Sequence, residues 1–210
     1  MKASDKISPV LKFFQIISKL ILKLIGWKTV GQVPKVKKFV MVGYPHTSNW
    51  DALIGLLIFT SMGLRLHWLA KQSLFKGPLG WLLKFSGAIP VNRSQSQNFI
   101  EYSKQLFGSR DQLILTLSPE GTRKKTDYWR TGFYYMALNA GVPIVLARLD
   151  YSTKQGGFGP VIWPSGEIEK DLEIIRRFYQ GTKGKFPEKM GDIRIKSDRK
   201  SNNHEQSSNS

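Results

Sequence analysis

Cysteine is absent from the 210-residue sequence, so disulfides, thiolate nucleophiles and zinc sites built on Cys are excluded. Histidine is almost as scarce. His46, His67 and His204 are too few and too scattered for an all-protein metal centre, and the expectation is a protein with neither metal nor resident cofactor. The phosphate-binding patterns G-x-x-x-x-G-K-[ST] and G-x-G-x-x-G are missing, and Gly181-Thr-Lys-Gly184 follows a helical stretch rather than a strand. No G-x-S-x-G occurs, so Ser118, which precedes Pro119, lacks the elbow of a serine hydrolase. Acid is the last shortage. Against 15 Asp+Glu stand 32 Lys+Arg, a net charge of +17 that suits nucleic acid, an anionic membrane face, or phosphorylated substrates with an acidic carrier.

What is present begins with the run VLKFFQIISKLILKLI at Val10–Ile25. Its polar members Lys12, Gln15, Lys19 and Lys23 recur at spacings of three and four and form one stripe on a helix, while nearly all the rest is apolar. Three lysines argue against a bilayer span of roughly 20 uncharged residues, and no small-residue cleavage site follows as in a secretory signal. The pattern reads as a helix lying in a membrane interface, with Trp27 near its end; the competing reading is an ordinary helix packed on the core. The surrounding segment, residues 1–40, carries nine lysines and a single acid, Asp5.

Beyond it the chain alternates. Strands are predicted at Phe39–Gly43, Leu66–Ala70, Ile89–Val91, Leu113–Leu117 and Ile144–Leu149. Helices are predicted at Trp50–Gly63, Pro78–Phe85, Gln97–Phe107, Gly132–Asn139 (ended by Gly141) and Glu167–Tyr179. That order predicts an α/β fold with a mixed sheet flanked by helices, preceded by the amphipathic membrane-associating helix. The domain expectation is a membrane-interface segment at 1–30, one α/β domain at 31–190, and a polar tail at 191–210, rich in Ser and Asn, with the composition of a disordered segment.

Two constellations could carry chemistry. After the first strand comes Tyr44-Pro-His-Thr-Ser-Asn-Trp-Asp51. In a continuous helix, residues five apart lie about 140° from each other and cannot meet. They can meet if the helix starts between them. Ser48 as N-cap places Asp51 at N3 in a capping-box pattern, and Pro45 keeps His46 in the loop ahead. Asp51 then orients one imidazole nitrogen and leaves the other to take a proton from a hydroxyl; the plainer reading is a helix-capping carboxylate beside a surface histidine. After the strand at Leu113–Leu117 comes Ser118-Pro-Glu-Gly-Thr-Arg123. A strand's carboxyl end is where open α/β sheets hold ligands. Gly121 permits close backbone approach and Arg123 suits phosphate oxygens, with Lys124 and Lys125 beside it, although one such tetrapeptide is most often a polar turn. Lys71 and Arg93 each follow a strand candidate and would face the same pocket, unless they are solvated surface.

Taken together, His46-x4-Asp51, Gly87…Arg93, Pro119-Glu-Gly-Thr-Arg123 and Gly141-Val-Pro-Ile-Val145 resemble, in order, the four sequence blocks of the glycerolipid acyltransferases, the 1-acylglycerol-3-phosphate acyltransferase family. The resemblance spans roughly residues 39–150. It implies an O-acyltransferase in which His46 is the general base of the HX4D motif and Asp51 its orienting partner, without an acyl-enzyme. It implies that Glu120, Gly121, Thr122 and Arg123 belong to the block that binds the acceptor's phosphate, that Arg93 is the second block's basic residue, and that Pro143 shapes the acyl side. Lys71 matches more loosely. Acyl-CoA or acyl carrier protein is the implied co-substrate, a lysophospholipid the implied acceptor, and an anionic membrane surface, on its cytoplasmic face, the implied location. Pro45, Ser118 and Asn92 depart from residues common in the family, which leaves open another lysolipid or glycerol 3-phosphate as acceptor. The alternative outside the enzymes is a non-catalytic basic module for membranes or nucleic acid. Interleaved large aliphatics and the lack of zinc-finger or RNP-like patterns favour lipid, so no nucleic-acid partner is expected.

Overall fold

The apolar run after Lys38 becomes a strand buried on both faces, and the other elements are arranged around it. In the computed structural model, which describes residues 9–91 and 99–196, this strand is β2 (Lys38–Tyr44). Val40, Val42 and Tyr44 point to one side of the sheet; Phe39 and Met41 point to the other. A strand covered on both faces has no polar side to show, which is why its sequence does not alternate.

Seven strands form one sheet in the order β1-β7-β6-β2-β5-β3-β4. These are β1 (Lys28–Val30), β3 (His67–Lys71), β4 (Ala88–Val91), β5 (Leu113–Leu117), β6 (Ile144–Asp150) and β7 (Gln155–Ile162), with β2 near the centre. β2, β3, β4, β5 and β6 run parallel, whereas β7 returns antiparallel on β6 and β1 joins it at the edge. The sheet is therefore mixed, as expected. β1 and β7 were not expected from the sequence. β1 is three residues long, and β7 carries Gly156, Gly157, Gly159 and Pro160, residues that ordinarily argue against a strand.

Helices cover both faces. α1 (Pro9–Leu24) and α2 (Asn49–Ser61) lie over the side formed by Phe39, Met41, Val145, Ala147 and Phe158, with Leu22, Ile54, Ile58 and Phe59 completing that core. The larger core on the other side gathers Leu113, Leu115, Ile144 and Leu146 under α4 (Phe99–Gly108), α5 (Gly132–Ala140) and α6 (Ile168–Tyr179). From α6, the Tyr179 hydroxyl donates to Val42 O at 2.8 Å and Ala147 O at 3.1 Å. α3 (Gly77–Phe85) sits between β3 and β4 in the chain. Gly141 closes α5 in the left-handed conformation (φ 62°), as a helix-ending glycine should.

Two expectations change. Gln15 is not part of α1's outer polar stripe; it is half-buried and donates to Ser61 O at the end of α2, while Lys12, Lys19 and Lys23 remain exposed. The inner contact of α1 is narrow, with Ser18 and Leu22 its buried residues. Second, residues 191–196, assigned by composition to the polar tail, lie against the core: Trp129 N donates to Arg194 O at 2.8 Å, and Ile193 and Ile195 pack on the larger cluster. Two well-placed isoleucines outweigh a polar average. Residues 197–210 lie outside the described residues, as does Arg93. Among the described residues no helix is long and apolar enough to cross a membrane.

Candidate active site

Parallel strands bring their carboxyl ends to one edge of the sheet, and the blocks containing His46 and Arg123 follow such ends. The block at 141–145 instead opens β6 at the opposite edge, where Pro143 O accepts Val40 N–H at 3.0 Å, away from His46. β2 delivers Pro45, joined to Tyr44 by a cis peptide, and then His46. β5 delivers Ser118–Arg123, β6 delivers Tyr151, and β3 ends at Lys71.

The His46–Asp51 pair meets by the route its spacing requires. Ser48 is extended (φ −150°, ψ 159°) and caps α2, accepting from Trp50 N at 3.1 Å and completing a capping box with Asp51 at N3. Asp51 Oδ2 accepts Thr47 N–H at 2.6 Å and Ser48 N–H at 2.7 Å, and faces His46 Nδ1 at 3.4 Å. Asp51 Oδ1 accepts the Tyr151 hydroxyl at 2.7 Å. The carboxylate thus accepts three hydrogen bonds and faces the imidazole as well. Burial works to raise its pKa, but His46, Tyr151 and the two backbone N–H groups outweigh burial and hold it below the usual Asp value. Capping and orientation are both served by the one side chain. The gap to His46 is longer than the ordinary hydrogen-bond distance.

Tyr151 did not stand out in the sequence, although its place directly after an apolar strand is a usable signal. Its ring packs edge-on against Trp27 (centroids 4.9 Å apart), and burial followed by the bond to Asp51 pushes its phenol pKa up. It stays protonated at neutral pH and can only donate to Asp51. The segment after α6 also reaches the site. Phe186 N donates to Thr47 Oγ1 at 3.3 Å, and Lys185 Nζ lies 5.3 Å from the centre of the Trp50 ring and 5.9 Å from that of Tyr151. Gly184 is needed there because a Cβ would fall 2.9 Å from Thr47 Cγ2.

The loop after β5 splits in two. Glu120 turns inward: it is 2% exposed, and its Oε2 accepts the His46 backbone N–H at 2.7 Å. Burial first, then the negative charge of Asp51, pushes its pKa up to about 7. Oε1 is buried with no hydrogen-bond partner among the described residues. Glu120 thus braces the histidine loop. Arg123 turns outward, and its Nη1 donates to Asn49 Oδ1 at the first turn of α2, one residue from Trp50 and two from Asp51. Gly121 is left-handed (φ +64°), and a Cβ on it would lie 2.9 Å from Arg130 Nε, so a second guanidinium, which the sequence reading passed over, lines this loop. Thr122 Oγ1 accepts Lys124 N–H at 3.2 Å. Lys71 is exposed at the end of β3 and no contact joins it to the His46 pair.

An imidazole held by a buried carboxylate, with guanidinium and ammonium groups at the same helix start, is suited to deprotonating a hydroxyl on an anionic molecule. Comparison with known proteins bears on the family and the fold. The model of the family described as Acyltransferase matches residues 28–149. The crystal structure of the 1-acyl-sn-glycerophosphate (LPA) acyltransferase PlsC from Thermotoga maritima superposes with a TM-score of 0.52 at 18% identity, covering 79% of this chain and 76% of that one. At that identity the likeness speaks for the fold. No curated protein sequence matches significantly.

Proposed function

The chain belongs to the Acyltransferase family, and from that premise we propose that it moves a fatty acyl group from an acyl thioester to a hydroxyl of a lysophospholipid such as 1-acylglycerol 3-phosphate. The observation that carries the reading is the bracing of His46: Asp51 at its Nδ1 side and Glu120 on its backbone N–H. With Nδ1 turned to Asp51, Nε2 is the nitrogen left to take the acceptor's proton. The acceptor oxygen attacks the thioester carbonyl carbon as its proton passes to Nε2. The carbon–sulfur bond then breaks, and the same proton goes on to the departing thiolate. Asp51 stabilises the imidazolium in between, and no covalent bond to the protein is made.

In this reading Arg123, beside the start of α2, binds the phosphate of the acceptor. Gly121 and Thr122 shape that loop, Lys71 adds charge at the end of β3, Arg93 is a further basic residue by its sequence block, and Glu120 contributes by holding His46 in place. Coenzyme A phosphates and acyl carrier protein are both anionic, so the basic surroundings suit either donor. The exposed apolar residues of α1, among them Phe13, Ile16, Leu20 and Leu24, lie in a membrane interface with Lys12, Lys19 and Lys23 at headgroup level on the cytoplasmic face.

The test is a panel of lysolipids and glycerol 3-phosphate offered with labelled acyl thioesters, scored for ester product. Product from a lysophospholipid that disappears in His46→Ala supports the assignment. Product from glycerol 3-phosphate alone moves the acceptor, and product that survives His46→Ala removes the mechanism.

A further inference from the structure

α3 is built for water on neither side. Its sequence is GPLGWLLKF, and Gly80 is its one buried residue. Trp81 is 70% exposed, Leu82 55%, Phe85 53% and Leu79 51%, and Leu74 in the preceding short turn is exposed as well. Gly80 presses so closely on the chain before it that a Cβ would fall 2.3 Å from Phe75 O, which fixes the helix on its base and leaves the large side chains outside. A helix apolar nearly all round belongs in an apolar medium, and a contiguous exposed patch of this kind marks a contact surface.

Two observations say what covers it. First, the patch continues into α1. Phe85 stacks with Trp81 (centroids 5.8 Å apart, planes at 14°) and meets Phe14 of α1 edge-on at 6.1 Å. Second, the charge around it has one sign. Lys71 and Lys76 are exposed beside α3 and Lys84 in its last turn, as are Lys12, Lys19 and Lys23 on α1. Between Lys6 and Ile100, a stretch with thirteen lysines and arginines, Asp51 is the sole acid, and it is buried in the candidate site. A second copy of the chain would present the same positive face and be repelled; an anionic lipid surface would be attracted.

We propose that α3 and the turn at 72–74 form a second membrane contact, inserted beside α1 into the headgroup region of an anionic bilayer. This extends the membrane reading of α1 and is independent of the reaction. Two elements far apart in sequence then hold the domain in one orientation, which a single helix free to roll about its axis cannot do.

Because the chain lacks cysteine, one introduced thiol reports on one place. Leu82→Cys, Leu20→Cys and Glu173→Cys, in the full chain, carry an environment-sensitive fluorophore on α3, on α1 and on the exposed face of α6. Vesicles of phosphatidylcholine with about 30% phosphatidylglycerol should blue-shift the probes at Leu82 and Leu20, expose them to a lipid-borne quencher, and leave Glu173 unchanged. Trp81→Ser with Phe85→Ser should lower vesicle binding at least about tenfold with an unchanged circular dichroism spectrum, since both residues are exposed. A Leu20 probe that enters lipid while Leu82 stays in water overturns the proposal. So does a Leu82 shift that grows with protein concentration without vesicles, which identifies a second copy, or equal insertion into neutral vesicles. Acyl transfer onto a water-soluble short-chain acceptor, measured without vesicles, tests the reaction separately.

Discussion

The loop after β2 and the loop after β5 leave the same edge of the sheet, yet they are built in opposite ways. In the first, Thr47, Ser48 and Asp51 are buried and bound to one another, and even Ser48 serves as a helix cap. In the second, Gly121 and Arg123–Lys125 face solvent, with Arg123 tethered through one neutral partner, Asn49. The contrast suits a division of labour. A group that moves a proton needs an orientation set in advance, whereas cations that receive a charged ligand must stay open to it. Glu120 is the crossing point. It belongs to the second loop by sequence and to the first by function, because its carboxyl is buried against the His46 backbone.

That division is testable from its strongest consequence downward. Replacing His46 with Ala should reduce acyl transfer by at least about 10²-fold with little change in acceptor KM. Asp51→Asn should lower kcat by about 10²-fold, since an amide cannot accept from all three donors or stabilise an imidazolium. Arg123→Ala should raise acceptor KM by about tenfold and leave donor KM alone, a loss on the scale of one charge-assisted hydrogen bond; a change confined to donor KM would break the comparison. Tyr151→Phe removes one of the bonds to Asp51 and should cost about three- to tenfold in kcat, with KM unchanged.

The smallest effect concerns Glu120 and is read in stability. Its pKa in the folded chain is about 7, above the 4.5 of a free glutamate, so folding favours its protonated form. The contribution of Glu120 to stability should therefore fall as pH rises from about 4.5 through about 7 and level off above that. Comparison with a variant at this position isolates it from groups such as His67, whose lowered pKa acts in the opposite sense. Glu120→Gln keeps an acceptor for the His46 N–H but cannot ionise. Relative to the parent it should gain about 1–3 kcal/mol between pH 5 and pH 8, seen in paired thermal melts. Parallel pH profiles would mean that Glu120 is already ionised in the fold at pH 5.

How much of this could be read in advance differs from element to element. β2, β5 and β6 were legible because a strand covered on both faces is apolar throughout, and such runs are hard to mistake. The start of α2 was legible from Ser48 and Asp51, because a capping box is a local matter settled within four residues. β7 was not, since its glycines act against a strand, and only close tertiary approach explains them: a Cβ would fall 2.3 Å from Ile58 Cδ1 at Gly156, 1.9 Å from Val30 O at Gly157 and 2.2 Å from Phe178 Cζ at Gly159. Tyr151, Arg130 and Lys185 were passed over because they lie in no run or motif, and Asn49 because it is an unspecified position within His46-x4-Asp51; the sheet's topology is what gathers them.

By itself, then, the sequence determined the α/β alternation, the family and the His46–Asp51 geometry, all of which rest on short-range chemistry: periodicity, capping and a few ordered motifs. Tertiary structure alone decided which strand ends share an edge, that Tyr151 reaches Asp51 from a hundred residues away, that Glu120 turns inward to His46, and that among the described residues the large side chains of α3 stay exposed beside α1. Those outcomes depend on contacts between residues far apart along the chain. No local pattern encodes a contact whose two halves are joined only when the sheet is assembled.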